Sequence, residues 1–208
     1  MAWSAKGARV RCAMVAVRKP RDKTYEDYLA VPEGTRAELI DGELCMAPQP
    51  KGRHVRISSM LGVVLGARFG LSTEGGPLEP GGWWILDEPE CHLVPDRRVV
   101  IPDLAGWRRS RMRIPPPDTH KFTVVPDWVC EVLSPSTAGY DTIIKMPKYL
   151  EAGVQWVWVV DPVARRVDVY RAGQGEWEEA GAIEGDGVTR LAPFDAVELD
   201  FGVVWAED

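Results

Sequence analysis

Apolar positions along the chain follow the spacing of helices in some segments and of strands in others. From His54 to Phe69 they recur every three or four residues, which predicts an amphipathic helix that stops at Gly70. A second long helix is predicted over residues 141–152, and Thr24 is a suitable cap for a short first helix. Short apolar runs predict strands at 36–40, 43–46, 83–86, 91–94, 99–101, 128–133, 155–160 and 167–170.

This order of elements predicts an α/β protein with a central mixed β-sheet flanked by helices and extra β-hairpins. The first hairpin turns at Asp41-Gly42, a sequence that favours a tight two-residue turn. We expect residues 1–20 to be a weakly structured extension and residues 21–208 to form a single domain. No apolar run approaches the length of a transmembrane helix, so no membrane partner is expected.

Composition narrows the classes of function. The net charge of −6 does not indicate a general nucleic-acid-binding surface, although a local basic patch is enough for an enzyme that touches phosphates briefly. The four cysteines form no Cys-x-x-Cys pair, which disfavours a zinc site. Their low density fits a reducing compartment and predicts a cytoplasmic protein.

Two acidic residues occur next to or within apolar segments of the sequence. Asp103 follows the apolar run at 99–101 and is expected to continue that strand, and Glu131 lies inside the run at 128–133. An unpaired carboxylate in such a place costs on the order of several kcal/mol, so it must be neutralised, paired or bound to a metal. The two acids, a main-chain carbonyl assigned to Val132, and waters would suit Mg²⁺ or Mn²⁺. The alternative for Glu131 is a buried salt bridge to an arginine.

Other polar residues each allow two interpretations. Lys145 is either a cation facing the two acids or one half of a surface ion pair with Asp141, four residues earlier. Glu38 is either a third acid at the site or a solvent-facing strand residue. His54 begins the first long helix, where a polar residue at the helix end is the simpler interpretation.

A basic loop follows Asp103 closely. It contains Arg108, Arg109, Arg111 and Arg113 and leads into three consecutive prolines. We expect these arginines to border the same cleft as Asp103 and to bind DNA phosphates, which would supply a positive field that the net charge lacks. The alternative is a solvated loop with no binding role.

Several motifs together resemble the Uma family of restriction-endonuclease-like proteins, in the PD-(D/E)XK nuclease superfamily. The resemblance covers about residues 24–205, and it is the combination of motifs that is specific. The segments are Glu-Leu-Ile-Asp-Gly-Glu-Leu at 38–44, Pro102-Asp103, Glu-Val-Leu-Ser-Pro-Ser at 131–136, Asp141, Lys145, Tyr-Leu-Glu-Ala-Gly-Val at 149–154 and Val-Val-Asp-Pro at 159–162.

The resemblance implies a restriction-endonuclease-like core and metal-dependent hydrolysis of DNA phosphodiester bonds, with Mg²⁺ or Mn²⁺ as cofactor. It makes Asp103 the aspartate of the PD element, Glu131 the second acid and Glu38 the N-terminal acid of the family. The superfamily's lysine normally follows the second acid by two residues, where this chain has Leu133. The resemblance places the replacement on the next helix, at Lys145.

Two main classes of function therefore stay open, and metal-dependent hydrolysis of some other phosphoester is a third. The first is a metal-dependent DNA endonuclease, which by analogy with other nucleases would act as a homodimer. The second is a catalytically inactive nuclease fold that serves as a DNA-binding or protein-interaction module. A Lys145 side chain that points toward Asp103 and Glu131 favours the enzyme, and one that points away favours the module.

Overall fold

The structure, a computed structural model, describes residues 22–71, 81–135 and 137–206. The expected N-terminal extension, residues 1–20, lies outside the described residues. The helices are α1 (Tyr25–Leu29), α2 (Gly52–Leu65), α3 (Met146–Ala152) and α4 (Phe201–Trp205). The strands are β1 (Arg36–Ile40), β2 (Glu43–Ala47), β3 (Trp83–Asp87), β4 (Glu90–Val94), β5 (Arg98–Val100), β6 (Leu104–Arg108), β7 (Lys121–Phe122), β8 (Trp128–Val132), β9 (Trp156–Asp161), β10 (Arg166–Ala172), β11 (Trp177–Glu184), β12 (Val188–Thr189) and β13 (Leu199–Asp200).

The strands form two large sheets and one small one. The larger sheet has six strands in the order β11-β10-β9-β8-β6-β3, and it is mixed because β8 and β9 run parallel while the other neighbours are antiparallel. The second has the order β2-β1-β5-β4-β7, and β12 pairs with β13. The predicted α/β class with a mixed sheet, flanking helices and extra hairpins is confirmed.

The core lies on both faces of the six-stranded sheet. Trp128, Cys130 and Val132 of β8 pack on the face that α2 and α4 cover. Val129 packs on the other face, against α3 and the five-stranded sheet. Every residue of β8 is therefore buried, as the sequence predicts. Because side chains alternate along a strand, Glu131 lies on the same face as Val129.

The strand expected to run from Val99 through Asp103 is instead two strands in different sheets. β5 pairs with β1 and β4, whereas β6 pairs with β3 and β8. Pro102 lies between them, and proline cannot donate the backbone hydrogen bond that a continuous strand requires. The chain thus crosses from one sheet to the other at Pro102-Asp103, which places Asp103 where the two sheets meet.

Local sequence signals locate the elements around this crossing. β1 and β2 form the predicted hairpin, with positive φ angles of 50° at Asp41 and 90° at Gly42. The first long helix is confirmed as α2, which continues into a π-helical segment, Gly66–Gly70. The second predicted helix is a π-helical segment, Tyr140–Lys145, followed by α3.

The six-stranded sheet leaves little room for a side chain at Gly106. A Cβ atom there would lie 3.0 Å from Trp128 Cε3 and 3.2 Å from Ile85 Cδ1. We expect Gly106→Ala to lower the free energy of unfolding by about 1–3 kcal/mol through overpacking, measured by urea denaturation. Gly66→Ala is the control, because Gly66 is helical and a Cβ there meets no atom within 4 Å. Equal urea midpoints for the two variants would contradict this prediction.

Candidate active site

A small cleft lies between the β1–β2 hairpin, the start of α2 and the π-helical segment Tyr140–Lys145. Its volume is about 110 Å³. The polar side chains that line it include four carboxylates and three cationic or imidazole groups in addition to Lys145. They are Glu38, Asp103, Glu131, Asp141, Lys145, Arg36, Lys51 and His54. The four residues proposed from the sequence as catalytic therefore face one cavity.

Lys145 is the central cation of the cleft. It is 3% exposed, and its Nζ lies 2.7 Å from Glu131 Oε1 and 3.1 Å from Glu38 Oε1. Asp141 Oδ1 is 3.6 Å away. The side chain thus points inward to a group of acids and is not confined to a surface ion pair with Asp141.

This arrangement keeps Lys145 charged. Burial lowers its pKa, but the negative charges of Glu131, Glu38 and Asp141 outweigh burial and leave the pKa above its usual value. Lys145 is therefore suited to stabilise negative charge, and it is not suited to act as a proton acceptor at neutral pH.

Glu131 extends from β8 into the cleft and is 2% exposed. The Tyr149 hydroxyl of α3 donates a hydrogen bond to the same Oε1 atom that contacts Lys145. Burial raises the pKa of the Glu131 carboxyl, and although Lys145 opposes this shift, the nearby carboxyls of Asp141 and Asp103 add to it. The cleft therefore has more buried carboxyl groups than Lys145 alone can compensate.

Asp103 is held at the crossing between the sheets. Its Oδ2 accepts a 2.7 Å hydrogen bond from the Val132 backbone N–H, and His54 Nε2 lies 3.2 Å from the same atom. Arg36 Nη2 is 4.0 Å from the other oxygen, Oδ1. Burial lowers the pKa of His54, but the hydrogen bond and charge of Asp103 outweigh it, so the pKa ends above its usual value.

Glu38 is an internal residue of the cleft and does not face solvent. It lies on β1, is 5% exposed, and its Oε1 accepts a 2.7 Å hydrogen bond from the Ile101 backbone N–H. Since Oε1 also contacts Lys145, Glu38 links the five-stranded sheet to the π-helical segment. Its catalytic role stays a prediction.

The basic loop after β6 lies away from the cleft, so the expectation that it borders the same cleft as Asp103 is wrong. Asp103 precedes the first residue of β6 and Arg108 is its last. The five residues of an extended strand separate the two ends by roughly 17 Å. Arg108, Arg109 and Arg113 line a second cavity instead, of about 830 Å³.

Three of these arginines also have protein partners. The Arg108 guanidinium lies 4.5 Å from the centre of the Trp83 ring, and Arg109 Nε donates a 3.2 Å hydrogen bond to the Trp83 carbonyl. Arg111 Nη1 forms a 2.8 Å ion pair with Asp127. The loop is thus partly anchored to the fold, and DNA binding by Arg108, Arg109, Arg111 and Arg113 stays a prediction for a separate surface.

The residues of the cleft that the sequence did not reveal include His54, Arg36 and Tyr140, and Tyr149 behind Glu131 is another. Sequence reasoning treated His54 as a helix-end residue, and it gave Tyr149 no role. The four-residue spacing of Asp141, Lys145 and Tyr149 indicated that the three lie near one another on a helix, but it did not show which side of the helix faces the acids. No comparable signal relates His54 to Asp103, since the two are distant in sequence and meet only through the fold.

The donor set suits a hard divalent cation that keeps part of its water shell. Among residues 22–71, 81–135 and 137–206, no group of three or more His, Cys, Asp or Glu side chains is arranged to hold a metal ion. Mg²⁺ needs fewer, since it is usually held by one or two carboxylates with waters. Burial, and after it the neighbouring carboxyls of Asp141 and Asp103, raise the pKa of Glu131, and a bound cation would oppose both effects. A ligand role for the Val132 carbonyl stays a prediction.

Fold and cleft together define a restriction-endonuclease-like protein. The crystal structure of a putative nuclease belonging to DUF820, from Anabaena variabilis, is similar to this chain with a TM-score of 0.67 and 25% sequence identity. The similarity covers 88% of this chain and 97% of that one. It confirms the expected core.

The amino-acid sequence also identifies the family to which the chain belongs. The family model of Uma2, described as a putative restriction endonuclease, matches residues 24–202, and the chain belongs to that family. No curated protein matches the chain. Family and structural neighbour together support a nuclease. None of the helices within the described residues has the length and apolar character that crossing a membrane requires.

The ion cluster makes Lys145 a stability determinant. Lys145→Ala leaves Glu131, Glu38 and Asp141 buried without their cation, and we expect the free energy of unfolding to fall by about 3 kcal/mol or more. Urea denaturation at neutral pH measures the change. Lys148→Ala is the matched control, because Lys148 contacts Asp41 and Glu151 near the surface and should cost less than about 1 kcal/mol. Similar losses of unfolding free energy in the two variants would contradict the prediction that the buried ion cluster stabilises the fold.

Proposed function

We propose that this protein is a Mg²⁺- or Mn²⁺-dependent endonuclease that hydrolyses DNA phosphodiester bonds. The observation that carries the proposal is the position of Lys145 Nζ, 2.7 Å from Glu131 in the cleft that Asp103 and Glu38 also line. The Uma2 family and the nuclease-like neighbour support the same class of reaction.

Asp103 and Glu131, with the Val132 carbonyl, are the residues proposed to hold the cation. When bound, such a cation polarises a phosphodiester and lowers the pKa of a coordinated water. The Val132 N–H and His54 fix one oxygen of Asp103 and leave its Oδ1 facing Arg36 at a longer distance. Holding a carboxylate by one oxygen is the usual way that neighbouring groups orient a metal ligand.

Lys145 is proposed to replace the lysine that this superfamily normally carries two residues after the second acid. Leu133 occupies that position and packs partly buried against the core. Because Lys145 stays protonated in its acidic surroundings, its role is to stabilise the charge that builds up on the phosphoryl oxygens and to orient the attacking water. Glu38 is proposed to position Lys145 and the waters around it.

The inactive-module alternative is less well supported. A module has no need for a buried lysine directed at two sheet-borne acids, and such an ion cluster costs desolvation energy. The cytoplasmic location and the homodimer stay predictions, and so does the single-domain boundary at residue 21.

The acids at the cleft should be essential for cleavage. We expect Glu131→Gln and Asp103→Asn each to lower Mg²⁺-dependent cleavage of plasmid DNA by about two orders of magnitude or more, because each removes a charged group on which transition-state stabilisation depends. Glu176→Gln, which changes an exposed glutamate, should retain full activity. Wild-type cleavage should stop in EDTA and return with Mg²⁺ or Mn²⁺. A Glu131→Gln variant that is folded and fully active would remove Glu131 from the site.

A further inference from the structure

A groove opens directly from the candidate active-site cleft. Its volume is about 570 Å³, against about 110 Å³ for the cleft. The two cavities have five lining residues in common, which form the junction between them. These are Arg36, Gln49, Pro50, His54 and Ile101. From the junction the groove continues past Ser58 and Ser59 of α2, so the cleft has an extension on one side along which a chain-like ligand can lie.

The cleft is small and its acids are deeply buried, which favours a substrate whose backbone can bend into it. Asp103 and Glu131 are 5% and 2% exposed. A cavity of about 110 Å³ is smaller than the roughly 300–1,000 Å³ pockets that enclose a whole small-molecule ligand. It has space for one phosphodiester link. The phosphates of a duplex lie on the outside of a stiff double helix, and bending or unpairing that helix costs several kcal/mol.

Arg36 is the cation placed to meet a phosphate at the junction. Its Nη1 is bound by Glu88, which fixes the guanidinium plane. Its Nη2 lies 4.0 Å from Asp103 Oδ1, which is beyond hydrogen-bond distance. Among the described residues, Nη2 therefore has an ionic neighbour but no hydrogen-bond acceptor, and a phosphate oxygen can supply one.

Two buried polar atoms of the cleft point to the same kind of ligand. The Tyr140 hydroxyl and His54 Nδ1 are both buried. His54 Nδ1 has no hydrogen-bond partner among the described residues, and the Tyr140 hydroxyl, which lies near Glu38 and Cys45, makes no hydrogen bond of normal geometry to either. Such groups are rarely left unsatisfied in folded proteins. Burial and the nearby Glu38 charge raise the pKa of Tyr140, so its hydroxyl keeps the proton that it can donate to a phosphate oxygen.

The groove beyond the junction offers more uncharged hydrogen-bonding groups than cations. Its polar lining includes Thr35, Ser58 and Ser59, which can bond to sugars and bases. Asp87 and Glu88 also line it and disfavour a continuous row of phosphate contacts. The cations that can meet a phosphate are therefore those of the cleft and its junction, which include Arg36, Lys51 and Lys145.

We propose that the site acts on a single, unpaired nucleic-acid strand, which lies along the groove and presents one phosphodiester in the cleft to Arg36. This inference rests on the proposed nuclease function and specifies the form of its substrate. An unpaired strand can fold its backbone into the cleft without first breaking base pairs.

The test measures cleavage by the full chain, in the presence of Mn²⁺, of three substrates with the same DNA sequence. They are a single strand, a blunt duplex, and a duplex with an unpaired flap. We expect kcat/KM to be at least about tenfold higher on the single strand and the flap than on the duplex, with cuts in the unpaired part, because extruding a nucleotide from a duplex costs a few kcal/mol. Equal or faster cleavage of the duplex would overturn the inference and leave the nuclease function intact.

A binding measurement separates this inference from the proposed function. With Ca²⁺ in place of Mn²⁺, fluorescence anisotropy of a thymidine oligonucleotide should show tighter binding than that of the matched duplex. If the chain cleaves no substrate but shows this preference, the nuclease proposal fails while strand recognition stands. If the oligonucleotide binds no better than the duplex, strand recognition fails.

Arg36→Ala should lower the slope of log affinity against log salt for the oligonucleotide by about 0.7, the loss of one phosphate contact with a single strand. Arg97→Ala is the matched control, since Arg97 is an exposed arginine on the turn between β4 and β5 and should leave the slope unchanged. Thermal unfolding checks that both variants are folded, because the Arg36–Glu88 pair lies near the surface. An unchanged slope for Arg36→Ala would overturn the proposed contact.

Discussion

The ammonium group of Lys145, buried among three carboxylates, is the interaction on which the rest of the site depends. Charges this deep are tolerated only when they are paired, since an isolated one is strongly destabilising. Glu38 comes from the five-stranded sheet, Glu131 from the six-stranded sheet, and Asp141 from the same π-helical segment as Lys145. One ion cluster thus fixes two sheets and a helix relative to each other.

The position of Asp103 follows from the topology. The chain leaves one sheet at β5 and enters the other at β6, and Pro102 prevents the two from forming one strand. Asp103 therefore lies at the crossing between the two sheets. There its carboxylate accepts a hydrogen bond from the backbone N–H of Val132, the residue after Glu131. Acids from two sheets meet in one cleft because the crossing occurs there.

Much of this architecture could be predicted from the sequence. Runs of apolar residues located the strands, and the positions of Asp103 just after one run and Glu131 inside another marked both as residues needing a partner. The direction of the Lys145 side chain could not be predicted from periodicity, because the π-helical turn before Pro147 changes the angular spacing of its residues. The prediction that the basic loop borders the cleft was wrong because the five extended residues of β6 carry the loop far from Asp103, although the two are close in sequence. The pairing of His54 with Asp103 depends on how α2 packs, which no local pattern encodes.

The proposed metal site requires that Asp103, at the crossing between the sheets, and Glu131, on β8, share one divalent cation beside the charged Lys145. An anomalous difference map from a crystal soaked in Mn²⁺ tests it most directly. We expect a single strong peak within about 2.2 Å of carboxylate oxygens from both Asp103 and Glu131, with Lys145 still in contact with Glu131. A soaked crystal with no peak between these acids, or with manganese bound only elsewhere, would contradict the proposed metal site.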